Sequence, residues 1–302
     1  MGEFVISCDK LCKKYGNRFA VHNASFNVEK GEILGLVGKN GAGKTTLIRL
    51  LTGISNPTSG TFKLFGKDQK ELASVLANVS TMIEHPAIYE NMTAKDNLVT
   101  QCILRGVKDP LGSGYIQTRL SEVGLDYLFN SPKKAGLFSL GMKQRLGIAM
   151  ATIGEPELMI LDEPTNGLDP EGIIQIRNLL LKLNKEKNVT ILISSHILSE
   201  LSKFATSYLF IDKGHLREQI TADHLEKSKR TITIQTLDNE KTISLLTEKE
   251  YKFTTQDNDI VITTSDDQVN VLNLLIQNSI QLNKFEYVNE SVEDYFIHML
   301  GD

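Results

Sequence analysis

The chain has 302 residues, 41% hydrophobic and 23% charged, with a formal net charge of −4, the profile of a folded globular protein with room for about two domains. No apolar run approaches the roughly 18 residues that a bilayer crossing needs, since the longest candidate, Val189 to Leu198, is broken by Ser194, Ser195 and His196. Charge is uneven: from residue 231 onward there are 13 acidic and 4 basic side chains, a net of −9, which leaves +5 for the rest and falls short of the clustered basic face of a nucleic-acid binder.

The start, Met1-Gly2-Glu3-Phe4, lacks the basic and apolar pattern of a secretory leader. Cys8, Cys12 and Cys102 have no metal-ligand spacing and cannot all pair, so they read as reduced thiols of a cytoplasmic protein. Phe4 to Cys8 alternates like a strand and leads to Tyr15, an aromatic whose flat ring could stack on a base. A buried strand is expected at Ile33 to Val37. It enters Gly38-Lys39-Asn40-Gly41-Ala42-Gly43-Lys44-Thr45, a full match to the phosphate-binding pattern G-x-x-x-x-G-K-[ST], and a helix is expected from Lys44. Glycines 38, 41 and 43 let successive N–H groups turn inward toward a triphosphate at the helix start. Lys44 can then reach the terminal phosphates, and the Thr45 hydroxyl can ligate Mg²⁺.

Beyond a turn at Asn56 to Gly60 come a short strand, Thr61 to Phe65, an amphipathic stretch, Glu71 to Ala77, and a strand, Val79 to Ile83, that ends in Glu84-His85-Pro86. Helix is expected from Met92 to about Val123, interrupted at Asp109-Pro110 and Gly112-Ser113-Gly114. A further helix should open after Ser139, its expected N-cap, with apolar residues at 142, 146, 149, 150 and 153. Leu158 to Leu161 is an apolar strand ending in Asp162 and Glu163. Asp162 is placed to hold Mg²⁺ and Glu163 to orient or deprotonate water. A tight turn, Gly167 to Pro170, follows, and then a strand, Thr190 to Ser195, that delivers His196 to the edge where phosphate chemistry would take place. The tail, residues 231 to 302, reads as strand, helix, two strands turned at Asp257-Asn258, helix from 266 and strand, the βαββαβ order of a small ferredoxin-like domain. A last helix, Ser291 to Leu300, places Val292, Tyr295, Phe296 and Met299 on one face.

Together these residues resemble the ATP-binding cassette family of transporter ATPases over about residues 4 to 220. The resemblance implies an α/β fold, a P-loop core in residues 1–226 with a helical subdomain inserted at about 90–150, to which the tail's own pattern adds a small α+β accessory domain at 231–302. It implies ATP and Mg²⁺ as cofactors. Tyr15 would stack on adenine, while Gly38, Asn40, Gly41, Gly43, Lys44, Thr45 and Thr46 cradle the phosphates. Thr45, Glu84 and Asp162 would hold the metal, and Glu163, His196 and Lys44 would carry catalysis. Ser139 and Gly141 match the family's signature, and Asp169 the turn that bridges two cassettes.

Two features depart from the common pattern. The signature is Phe-Ser-Leu-Gly-Met, with Leu140 and Met142 at unusual positions, and Glu84 stands where a glutamine is usual. With Pro86 and Tyr89-Glu90-Asn91-Met92-Thr93, this looks like the bacitracin-resistance and lantibiotic self-protection subgroup. The partners so implied are a polytopic membrane permease, a second cassette packed head to tail, either another copy of this chain or a paralogue, and a peptide cargo, with the chain cytoplasmic at the inner membrane face. A soluble relative acting on ribosomes or DNA is the rival reading; a single cassette without a heptad run favours the transporter subunit.

Overall fold

The computed structural model describes residues 3–112, 114–228, 230–264, 268–289 and 292–301; Met1, Gly2, Ser113, the expected helix onset at 266 and Ser291 lie outside them. The chain divides into two compact units, the first ending at Gln219 and the second starting at Ile220.

In the first unit the strands are β1 (Phe4–Tyr15), β2 (Arg18–Glu29), β3 (Ile33–Val37), β4 (Ser59–Leu64), β5 (Lys67–Asp68), β6 (Val79–Met82), β7 (Leu158–Asp162), β8 (Thr190–Ser195), β9 (Ser207–Asp212) and β10 (His215–Thr221). They form one sheet in the order β5-β4-β1-β2-β10-β9-β3-β8-β7-β6. Neighbouring strands from β9 to β6 run parallel. Every residue of β3, β7 and β8 is buried, as continuous apolar strands covered on both faces should be. The carboxyl ends of β3, β8, β7 and β6 therefore lie side by side, and each is followed by residues singled out above: the glycine-rich loop, His196, Glu163 and Glu84.

The first strand is longer than its sequence pattern suggests. β1 runs on to Tyr15 because a two-residue Gly16-Asn17 turn, with Gly16 at φ 56°, folds it onto β2 in antiparallel register, Tyr15 opposite Arg18. A bulge with Lys10 at φ 48° breaks the alternation and lets Leu11 and Cys12 both turn inward. All three cysteines are buried, and burial pushes the Cys8 and Cys102 thiols above their ordinary range.

Among the described residues, three α-helices, Ala94–Leu104, Tyr115–Glu122 and Leu140–Ala151, lie between β6 and β7. The first opens on a reciprocal cap: Thr93 Oγ1 accepts from Asp96 N while Asp96 Oδ2 accepts from Thr93 N. Its far end is anchored by Arg105, whose guanidinium donates to the carbonyls of Ala77 and Val79 and to Ser80 Oγ on the approach to and start of β6.

In the second unit β11 (Arg230–Thr236), β12 (Lys252–Gln256), β13 (Asp259–Thr264) and β14 (Leu282–Asn289) form an antiparallel sheet in the order β12-β13-β11-β14. Helices Asn239–Glu248 and Gln268–Gln277 complete the βαββαβ arrangement. Cross-strand pairs Ile232 with Ile262 and Ile234 with Ile260 meet Leu246, Val271 and Leu275 in its core. The last helix, Val292–Gly301, buries Val292 and Phe296, half-buries Tyr295 and Met299, and exposes Ile297.

Candidate active site

The loop after β3 must pass close to backbone it cannot avoid. A Cβ on Gly38 would strike the Ile211 carbonyl, and one on Gly43, at φ 115°, would strike the Ala20 carbonyl, so only glycine fits these two positions. Helix Lys44–Leu51 begins at Lys44 as expected, and its N-cap, Gly43, provides no side chain to cap the first turn. The first-turn N–H groups and the positive helix end are thereby aimed at an anion.

A cleft of about 430 Å³ opens beside this loop, lined by Tyr15, Asn40, Gly41, Gly43, Lys44, Thr45, Thr46 and Glu163 together with Arg18, Phe19, Ala20, Lys213 and Gly214. The last five carry no motif of their own in the sequence; the β1–β2 hairpin and the β9–β10 turn bring them in. Tyr15 is half exposed at the rim, with Lys13 Nζ 5.1 Å from its ring centre.

At the floor the polar groups are wired together. Thr45 Oγ1 donates to Asp162 Oδ2 at 2.7 Å, and Ser194 Oγ donates to the other oxygen, Asp162 Oδ1. Lys44, 5% exposed, donates to the Gly38 carbonyl at 2.8 Å and stands 3.4 Å from Glu163 Oε1. His196 Nδ1 is 2.8 Å from Glu163 Oε2, and because a carboxylate only accepts, that ring nitrogen carries the proton. Glu163 is held in the left-handed region at φ 47°, its N–H directed to the Ser194 carbonyl and hydroxyl. Gln144, buried on the helix that follows the signature, donates to the Glu163 carbonyl at 3.3 Å. Ser194 and Gln144 escaped the sequence reading. The available signal was polarity: each is a polar residue buried within its strand or helix.

The set fits a hard divalent cation. The Thr45 hydroxyl and the Asp162 carboxylate are oxygen donors already within a hydrogen bond of each other, the donor chemistry that Mg²⁺ selects. Glu84 is not part of this cluster. Its backbone sits at φ 60° and its Oε1 lies 2.7 Å from Arg49 Nη2, the Arg being four residues beyond Thr45 on the same helix.

Ser139, Gly141 and Asp169 lie outside the cleft lining and form a corner of their own. Ser139 is the N-cap of helix Leu140–Ala151, its Oγ accepting from Met142 N at 3.2 Å, which leaves its O–H free to donate. Asp169 caps helix Pro170–Lys187 through Gly172 N. Gly141 packs on the Gly167 carbonyl and Leu168, and Leu140, the unusual signature residue, lies over Gly167.

Comparison with known proteins settles the family. The sequence profile of the ABC transporter family matches residues 21–166. The chain is 40% identical to the bacitracin transport ATP-binding protein BcrA of Bacillus licheniformis, with 98% of this chain and 97% of that protein covered.

The chain belongs to the ABC transporter ATP-binding family. It is an ATP-binding, ATP-hydrolysing transporter subunit. The lantibiotic transport ATP-binding protein SrtF of Streptococcus pyogenes is 39% identical over 74% of this ABC ATPase and 95% of its own length. Among solved structures, the ATP-binding subunit of an ABC transporter superposes with a TM-score of 0.67 at 27% identity, covering 74% of this chain and 92% of that one. A dimeric ATP-binding cassette in a post-hydrolysis state with ADP and phosphate superposes at 0.66 and 22% identity, over 72% of this chain and 98% of its own, a likeness of fold.

Proposed function

We propose that this ABC ATPase works with a second cassette in a head-to-tail pair and powers a separate polytopic membrane permease whose cargo is an antimicrobial peptide of the bacitracin or lantibiotic kind. The observation that carries the cargo is the match to the bacitracin transport protein over 98% of this chain, a span that takes in the acidic tail, where the lantibiotic relative covers 74%. Through the permease the chain works at the inner face of the cell membrane; among the described residues no helix is long and apolar enough to cross it.

Each cleft, in this reading, is closed by the Ser139 hydroxyl and Gly141 N–H of the other copy. A single chain leaves the γ-phosphate side of its cleft open to water, and donors aimed at a developing negative charge act most strongly where water is excluded. Thr45 and Asp162 would hold Mg²⁺, which when bound would supply positive charge against the phosphates. Lys44 turns from Glu163 to the phosphate oxygens. Glu163 then takes a proton from the attacking water, and His196, hydrogen-bonded to it, orients that carboxylate and reaches the γ-phosphate. Tyr15 stacks on adenine. Glu84, whose anionic oxygen replaces the usual neutral amide, links the nucleotide to the helical insertion and so to the permease.

The test is a strain that carries the permease and lacks this chain, complemented with wild type, Glu163→Gln, Glu84→Gln or Glu84→Ala and challenged with a panel of peptides. Wild type should restore tolerance and Glu163→Gln should not. Glu84→Ala should lower tolerance more than the ATPase rate of the purified complex, and Glu84→Gln less so. Tolerance unchanged for every peptide in all four strains would remove the peptide reading.

A further inference from the structure

The segment from Glu84 to Glu90 is pinned at both ends, to different parts of the cassette. At its end, Glu90 Oε1 pairs with Lys143 Nζ at 2.6 Å on the helix after the signature, and the Glu90 carbonyl accepts from Gly136 N. Next to it, Tyr89 N donates to the fully buried Asn97, whose amide returns a bond to the Tyr89 carbonyl. This end therefore travels with the helical insertion. At its start, Glu84 is bound to Arg49, which travels with the phosphate-loop helix.

The start is also strained. Glu84 is the middle residue of a three-residue turn closed by His85 N to the Ile83 carbonyl at 2.7 Å, with φ 60°, a conformation that residues with a Cβ rarely adopt. Such strain persists where surrounding contacts hold it, and here the visible contact is the ion pair to Arg49. Arg49 lies four residues past Thr45 on the same helix, and Glu84 Oε1 is paired with Arg49 while the Thr45 hydroxyl is paired with Asp162.

We propose that Arg49 is a positioning residue: its ion pair holds the Glu84 carboxylate until nucleotide binds, and the carboxylate then leaves Arg49 for the metal site, drawing the pinned segment and the helical insertion with it. This rests on the reading of Glu84 as the link between nucleotide and insertion. It adds a competitor, and the competition has a sign. Deleting a nearby cation should by itself weaken the binding of a polyanion; deleting a competitor for Glu84 should strengthen binding, provided that Mg²⁺ is there to receive the carboxylate.

The experiment uses the full chain with Glu163→Gln to stop turnover, and measures ATP affinity with Mg²⁺ and with EDTA for Arg49→Ala, Glu84→Ala and the double variant. The chain contains no tryptophan, so Tyr89→Trp adds a single indole reporter of the pinned segment. Arg49→Ala should tighten Mg²⁺-dependent binding about two- to fivefold, the worth of a half-exposed ion pair. It should give no tightening in EDTA or beside Glu84→Ala, and with Mg²⁺ the indole emission should reach its ATP-bound value at a correspondingly lower ATP concentration than in the reporter chain with Arg49 intact. If Glu84→Ala weakens Mg²⁺-dependent binding while Arg49→Ala leaves it unchanged or weaker, the positioning role is wrong and the Glu84 link stands. If Glu84→Ala leaves the Mg²⁺ dependence untouched, the link fails and the positioning role fails with it.

Discussion

Two regions of the cassette present similar chemistry in opposite states. In the cleft, Lys44, Thr45, Asp162, Glu163, Ser194 and His196 are tied to one another by hydrogen bonds and ion pairs. At the signature corner, Ser139 and Asp169 bond into their own helix starts, both are exposed, and the apolar side chains beside Ser139 face outward, Leu137 at 72% and Leu140 at 55% exposure. A wired cleft must exchange partners to bind substrate. An outward corner with exposed leucines is a surface waiting to be covered. The contrast is what the proposed head-to-tail pair requires, in which one chain would hold two halves of different sites.

The comparison breaks most sharply at Glu163. Glu163→Gln should lower ATP turnover by roughly 10²–10⁴-fold, the range for loss of a general base, while ATP affinity stays close to wild type, and the nucleotide-bound pair should become stable enough to isolate by gel filtration. Comparable loss of affinity and turnover would place Glu163 in binding. At the other region, Ser139→Ala should cost on the order of 100-fold in turnover, the scale for removing one preorganised donor. Mixing Ser139→Ala with Lys44→Ala should recover part of the activity, because one of the two composite sites in such a pair is intact; absence of recovery at any ratio would argue against shared sites.

Lys44→Ala acts on the cleft itself. It should raise the ATP dissociation constant by roughly 10- to 100-fold, in line with a charge-assisted hydrogen bond, measured by titration at fixed Mg²⁺. Tyr15→Ala should cost less, about fivefold in affinity from lost stacking on one ring face, with Tyr15→Phe near wild type. The smallest effect is a control on the core. The thiolate is the reactive form, and burial raises the Cys8 and Cys102 thiols, so alkylation of the folded chain near neutral pH should be slow at both and fast after denaturation, followed by intact mass.

What the sequence disclosed follows from how local each signal is. The phosphate loop, the Asp162–Glu163 strand end and the Ser139 cap are short patterns whose chemistry is complete within a few residues, and they stood out. Arg18, Phe19, Lys213 and Gly214 reach the cleft through a hairpin and a turn, which is geometry that no single window contains. The long β1–β2 pair was hidden because the bulge at Lys10 disrupts its alternation and the Gly16-Asn17 turn lies between charged residues. The tail was more legible, since its isoleucines alternate cleanly along β11 and β13. Glu84 is the opposite case: its position in the sequence was plain, but its partner, Arg49, lies 35 residues away and nothing in either segment announces the pair.

The claim that each site needs two chains is tested most directly by the ATPase rate of the purified chain as a function of its own concentration. The account predicts that activity per mole rises with protein concentration and reaches a plateau, being nearly absent where the chain is monomeric. A rate per mole that is constant from the monomeric to the dimeric range would contradict it.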